Sequence, residues 1–128
     1  MPGREILKAL RNPFFGWRQA IWLHVYDAVT TKAGRYVQGA DCTTVGVAGL
    51  ILSGGFGSFS KNDGSAAASL LEVEVVTADG MVRIANACKD PELFWAIKGG
   101  GGGSFGVVTR VTLKTHDLAE WAGGGSFR

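Results

Sequence analysis

The residues best equipped for chemistry lie between Gly39 and Gly57, which reads Gly-Ala-Asp-Cys-Thr-Thr-Val-Gly-Val-Ala-Gly-Leu-Ile-Leu-Ser-Gly-Gly-Phe-Gly. Cys42 is one of two cysteines in the 128-residue chain. Its thiolate is the nucleophilic form, and a place just before a helix start favours that form through the positive end of the helix dipole. Thr43 or Thr44 can cap a short helix from Val45 to about Leu52, which puts Cys42 in that place. The clustered glycines allow a backbone to lie close to another surface or to take positive φ. Together these features suit a flat ligand resting on main chain, with a sulfur aimed at it. The alternative for Cys42 is a small buried hydrophobe, as most free cysteines are. Cys88 also precedes a helix start but lacks the surrounding glycines, and is expected to be structural.

Other motifs carry less. Gly101, Gly103 and Gly106 fit Gly-x-Gly-x-x-Gly, and Gly102, Ser104 and Gly106 fit Gly-x-Ser-x-Gly. Both motifs work only with a strand before and a helix after. Here a helix precedes and a strand follows, so neither a nicotinamide site nor a nucleophile elbow is expected, and Ser104 reads as a loop hydroxyl. Serine hydrolysis, with His24 or His116 as base, ranks last among the possible activities. The cysteines and histidines form no metal-binding spacing. Glu72 and Glu74 read as a solvated strand edge, and Trp22, Phe94 and Trp95 as core.

Positioning elements follow from periodicity. Ile6 to Leu10 is a short helical possibility. Ile21, Val25, Ala28 and Val29 recur at helical spacing within Ala20 to Ala33, and Gly34 follows as the stop. Arg35 to Gln38 reads as a short strand. Ser53 to Gly64 is a glycine- and serine-rich loop, and Ser65 to Leu70 a turn of helix. Leu71 to Thr77 alternates, with Leu71, Val73 and Val75 on one face and Glu72 and Glu74 on the other. Asp79-Gly80 turns a hairpin into Met81 to Ala85. Asp90-Pro91-Glu92 begins a helix that runs to Lys98 and ends at Gly99 to Gly103. Phe105 to Lys114 is a strand with Val107, Thr109, Val111 and Leu113 on one face. The expected fold class is α+β.

Composition excludes several classes. A net charge of +2 with 46% apolar and 19% charged residues describes a folded protein, with no basic stripe for nucleic acid or an anionic membrane. No stretch approaches the roughly 18 apolar residues needed to span a bilayer. Charges at Arg4, Glu5, Lys8 and Arg11 interrupt any leader-like run, so a cytoplasmic location is the expectation.

Several ordered motifs resemble those of one family. They are Cys-Thr-Thr-Val-Gly-Val-Ala-Gly at Cys42 to Gly49 and Ser-Gly-Gly-Phe-Gly at Ser53 to Gly57. Further on stand Glu-Val-Val-Thr-Ala-Asp-Gly at Glu74 to Gly80, Asp-Pro-Glu-Leu-Phe-Trp-Ala at Asp90 to Ala96, and Gly-Gly-Gly-Ser-Phe-Gly-Val-Val-Thr at Gly101 to Thr109. Across Ile21 to Asp117 the chain resembles the vanillyl-alcohol oxidase class of flavin oxidases, with its PCMH-type FAD-binding domain, and the berberine-bridge-enzyme-like branch in particular.

The resemblance implies a largely antiparallel sheet flanked by helices, FAD as cofactor, and a FAD-linked oxidation of an alcohol or sugar-like substrate with oxygen reoxidising the flavin. It implies that Thr44, Val45, Gly46 and Gly49 lie along the flavin and diphosphate, with Gly54, Gly55 and Phe56 near the ring. Val107 and Val108 would meet the adenine and ribose through main chain, and Cys42 would bond to the flavin by its sulfur. Departures limit this. The Arg-x-Gly-Gly-His-Ser loop that holds the diphosphate in the family is absent, Ala40 stands in place of a glycine, and Asp63 in place of a frequent tyrosine. The expected organisation is an irregular segment at 1–19, a partial FAD-binding domain at 20–117 and a tail at 118–128. The chain is thus expected to be a fragment inactive alone, with small-molecule substrate, but no nucleic acid or membrane, as partner of a full-length form. A non-catalytic truncated product is the alternative.

Overall fold

The computed structural model describes the backbone of residues 6–9 and the whole of residues 20–118. The aromatics Phe14, Phe15 and Trp17 and the 119–128 tail lie outside the described residues. A four-stranded antiparallel sheet organises the chain in the order β1-β5-β3-β4, with β1 Ile6–Ala9, β3 Leu70–Val76, β4 Val82–Asn86 and β5 Val107–Lys114. Ile6–Ala9 is therefore a strand and not the helix expected there. Pairing of Ile6 with Lys114 and of Ala9 with Val111 ties it to β5, and so long-range hydrogen bonding outweighs a short local preference.

Helix α1 (Trp22–Tyr26) continues as wider π-type turns through Asp27–Lys32 and stops at Gly34, whose φ of +64° is easy only for glycine. Its Val25 and Val29 face the core, as the spacing requires, and Trp22 is fully buried. A second, two-stranded sheet pairs β2 (Arg35–Tyr36) with β6 (His116–Asp117). Helix α2 is Val47–Leu52, α3 the single turn Ser60–Asp63, and α4 Pro91–Ile97. One continuous core joins Val73, Val75, Ala85, Val111 and Leu113 of the sheet to Trp22, Val25, Ile51, Phe94 and Ile97 of the helices.

Two bulges rewrite the strand alternation. Leu70 pairs with Leu113 and Glu72 with Thr112, so Leu71 is an extra residue, 39% exposed, and Leu70 takes the core position. Glu74 pairs with Arg110 and Val75 with Val108, which leaves Thr109 as the extra residue of β5. One inserted residue exchanges the faces of everything beyond it. Val111 and Leu113 accordingly point into the core, but before the bulge Val108 packs there and Val107 is exposed. Strand β3 is interior rather than an edge. Glu72 accepts a hydrogen bond from Asn86 Nδ2 at 3.1 Å, and Glu74 pairs with Arg110 at 3.2 Å.

Helix α4 begins after Asp90, as read, but Asp90 sits at φ +47° and its side chain makes no capping bond; Pro91 starts the helix and Phe94 N–H bonds back to the Asp90 carbonyl. Phe94 is buried, whereas Trp95 is 80% exposed, on the outer face of α4. Cys88 is exposed too and so has no place in the core.

Candidate functional site

The segment from Gly39 to Gly57 wraps the end of α1 and then forms α2. Ile21 bridges Gly46, Val47 N–H donates to the Ala20 carbonyl, and Val45 O accepts from Trp22 N–H. These bonds hold residues 45–47 extended beside 20–22, so α2 can begin only after Gly46. Gly46 is its N-cap, and neither Thr43 nor Thr44 caps it. Cys42 consequently stands in a turn, exposed, five positions before Val47. The dipole argument for its thiolate does not hold in this geometry, because the field of a helix end fades within a turn. The turn instead serves α1: Leu23 N–H donates to Thr43 O at 2.8 Å, and Trp22 N–H to Val45 O at 3.0 Å. Those carbonyls satisfy first-turn amides of a helix that has no side-chain cap.

The glycines divide into two groups. A Cβ on Gly39 would strike the Trp22 ring and stand 2.5 Å from the Tyr26 hydroxyl, and one on Gly57 would stand 2.5 Å from the Gly39 carbonyl. A Cβ on Gly55 would meet Ala66 and Leu50. These three are glycine because the protein packs against itself. Gly46, Gly49 and Gly54 differ, since a Cβ on any of them would project into open space with nothing within 4 Å. Gly54 and Gly55 take φ of +95° and +69°, turning the chain out of α2 so that Phe56 stands 82% exposed. Thr44 is exposed and Val45 half-buried beside Gly46. Three glycines of the segment are thus open above their α-carbons, and an exposed aromatic ring follows them. A flat heteroaromatic ligand held through main-chain atoms fits such an arrangement.

Polar bonds brace it. Gln38, fully buried, accepts from the Tyr36 hydroxyl and donates to Ser60 Oγ at 3.0 Å, and Ser60 Oγ also accepts from Gly57 N–H at 2.9 Å. Burial, with Asp63 nearby, pushes the Tyr36 phenol up to about 12. The glycine run after α4 docks on the same region: Gly101 N–H donates to Leu52 O at 2.8 Å, and Ala67 and Ala66 amides donate to Gly54 and Gly55 carbonyls. Val107 and Val108 follow that run as the first residues of β5, opposite Val76 and Val75. Ser104 is exposed in a turn between helix and strand, which is the reverse of the order a nucleophile elbow needs. Sequence reading missed Asp41, whose carboxylate accepts from both the amide and the hydroxyl of Ser58. Its adjacency to Cys42 was the available signal. Among the described residues no cluster of metal-binding side chains occurs, and no helix is long and apolar enough to cross a membrane.

The chain thus combines a four-stranded antiparallel sheet, helices packed on it, and a glycine-rich segment that leaves Gly46, Gly49 and Gly54 open. The FAD binding domain family matches residues 20–86, and the chain belongs to it. FAD is the cofactor of this family of FAD-linked oxidoreductases. Among relatives, the chain is 52% identical over 89 residues to the FAD-linked oxidoreductase easE of Arthroderma otae, covering 68% of this chain and 14% of that protein. It is 52% identical over 110 residues to easE of Aspergillus fumigatus, covering 83% of this chain and 17% of that one. Among solved structures, glucooligosaccharide oxidase from Acremonium strictum, described with a 6-S-cysteinyl, 8α-N1-histidyl FAD, superposes with a TM-score of 0.75. That likeness is at 29% identity and covers 79% of this chain and 21% of that one. The chain thus spans about a seventh to a fifth of the length of these proteins.

Proposed function

We propose that this chain is the part of a FAD-linked oxidoreductase that lies against one side of the cofactor. Thr44, Val45, Gly46 and Gly49 run along the flavin and diphosphate, Gly54, Gly55 and Phe56 adjoin the ring, and the main chain of Val107 and Val108 meets the adenine and ribose. In a full-length form Cys42 Sγ is the point of covalent attachment. The open space over Gly46, Gly49 and Gly54 carries this reading. The exposed thiol of Cys42, four positions before Gly46 in the chain, supports it, as does the cysteinyl FAD described for the Acremonium enzyme.

When bound, the flavin supplies a two-electron acceptor for an alcohol or sugar-like substrate and passes the electrons to oxygen. The chain's own residues bind one face, orient it and exclude water from it. The stretch from Gly39 to Gly57 contains no lysine or arginine, and Asp41 is its one charged side chain. The diphosphate therefore receives no cation from this stretch. Taken alone, the chain binds FAD weakly and turns nothing over, and the substrate and its base belong to a full-length form.

FAD titration followed by flavin fluorescence, with acid precipitation afterwards, tests this. The expected result is a dissociation constant of about 100 µM or weaker and no flavin in the precipitate. Flavin retained through acid overturns the weak-binding reading, and Cys42→Ala should then release it. Retention by Cys42→Ala overturns the attachment site. A second reading, a non-catalytic truncated product, has its own observation in the exposed Trp95, Met81 and Val82. Strong binding of a hydrophobic dye with no flavin binding at any concentration would favour it.

A further inference from the structure

The turn that carries Cys42 is anchored on its back to α1 and on its front to the loop after α2, where Asp41 bonds to Ser58 and Gln38, at the start of the segment, bonds to Ser60. Behind it, Tyr26 Oη donates to Ala40 O at 2.5 Å, and the Leu23 and Trp22 amides bond to Thr43 O and Val45 O. All of these partners belong to α1. None reaches the loop that presents Phe56. In front, Asp41 Oδ1 accepts the Ser58 amide at 3.1 Å and the Ser58 hydroxyl at 2.7 Å. The two segments also touch through backbone, since Gly57 packs so closely on Gly39 that a Cβ there would stand 2.5 Å from the Gly39 carbonyl.

We propose that Asp41 is a positioning residue, whose carboxylate joins the Cys42 turn to the Gly54–Ser58 loop so that thiol and ring-facing loop move as one surface. The inference rests on the reading of Cys42 and Phe56 given above. A carboxylate suits the task because it accepts both donors of Ser58 and, being charged, holds them more strongly than a neutral acceptor does. The backbone contact at Gly39 and Gly57 sets how close the two segments come. Directional bonds at the Gly39 end come from Gln38 Nε2, which donates to Gly39 O and Ser60 Oγ, and from Gly57 N–H, which donates to the same Ser60 Oγ. The two bonds on Asp41 Oδ1 hold the offset at the Cys42 end, next to the thiol. Attachment of a ligand to a sulfur is sensitive to such an offset, since a displacement of 1 Å in a reacting group can cost about a hundredfold in rate.

The test uses the whole chain with Cys88→Ser, which leaves Cys42 as its single thiol. Asp41→Ala, Asp41→Asn and Ser58→Ala are compared by amide hydrogen exchange, thermal melting and FAD titration. Asp41→Ala is expected to speed Ser58 amide exchange about tenfold, the factor for one lost hydrogen bond, and to weaken FAD binding with melting little changed. Asp41→Asn keeps a carbonyl acceptor and should restore most of the protection and part of the affinity. An unchanged Ser58 exchange rate in Asp41→Ala overturns the clamp. Faster exchange with unchanged FAD affinity overturns its positioning role. Failure of the underlying reading looks different: Cys42→Ala and Phe56→Ala would then bind FAD like the parent, while the Asp41 variants still loosen Ser58.

Discussion

Replacing Gly49 with alanine should stabilise the protein and impair its cofactor surface at once. Gly49 is the third residue of α2, at ordinary helical φ, and a Cβ there meets no atom within 4 Å. Glycine in a helix interior costs about 1 kcal/mol relative to alanine, because the unfolded chain gives up more freedom. Gly49→Ala should therefore raise the melting temperature by about 4 °C for a chain of this size. The same methyl stands where the proposed flavin and diphosphate lie, and should weaken FAD binding at least fivefold, about 1 kcal/mol. Gly39→Ala is the control of opposite sign. Its methyl would collide with the fully buried Trp22 and with the Tyr26 hydroxyl, and overpacking of this kind costs about 1–3 kcal/mol. Urea denaturation and calorimetry of both variants, with FAD titration by fluorescence, read the two signs. The division of the glycines would be refuted by a destabilised Gly49→Ala, or by a stabilised one that binds FAD as well as the parent.

Phe56→Ala should change stability by less than about 0.5 kcal/mol, because the ring is 82% exposed, yet should weaken FAD binding in the same titration. Gln38→Leu should cost about 1–2 kcal/mol in urea denaturation, since it strips the half-buried Tyr36 hydroxyl of its acceptor and Ser60 Oγ and Gly39 O of a donor. The chain has two tyrosines, and burial raises both phenols, Tyr36 to about 12. A folded pKa above the unfolded value of about 10 means that the neutral phenol is favoured by folding. Its contribution is whole below pH 10 and is lost as pH rises through 12. Absorbance near 295 nm should show less than half of the tyrosine ionised at pH 10, and Tyr36→Phe should lessen the alkaline loss of stability. At the other end, hydrogen bonds from Thr77, Arg83 and Met81 hold the Asp79 carboxyl well below its usual range. Its contribution to the hairpin is present above an unfolded value of about 4 and declines as pH falls toward the folded one. Asp79→Asn should flatten that acid-side decline in an acid titration of the melting temperature.

Local signals were legible where one interaction dominates. Alternation in Leu71 to Thr77, the Asp79-Gly80 turn, Pro91 at a helix start and the helical spacing of Val25 and Val29 each reflect near neighbours, and each element formed within a residue or two of its expected bounds. Errors collected where distant chain intervenes. Ile6–Ala9 became a strand because β5 offers it an antiparallel partner. Leu71 and Val107 turned outward because two bulges shift the phase of β3 and β5, and a bulge is a property of the pair rather than of either strand. Trp95 lies outside because α4 shows the core one face only, and Phe94 and Ile97 already fill it.

For the candidate site, the sequence by itself determined the concentration of glycine around a single thiol and the absence of any cation beside it. With the ordered motifs, that was enough to identify a FAD-binding domain of the berberine-bridge-enzyme-like kind. Tertiary structure decided which glycines face open space and which are packed against by the protein. Gly39, Gly55 and Gly57 are filled by the protein itself, while Gly46, Gly49 and Gly54 are left open. It also moved Cys42 from a helix start to a turn, because pairing of residues 45–47 with 20–22 delays α2 to Val47. The physical reason is common to both. A glycine or a cysteine carries its chemistry in its own atoms, but the space in front of it belongs to whatever the rest of the chain places there.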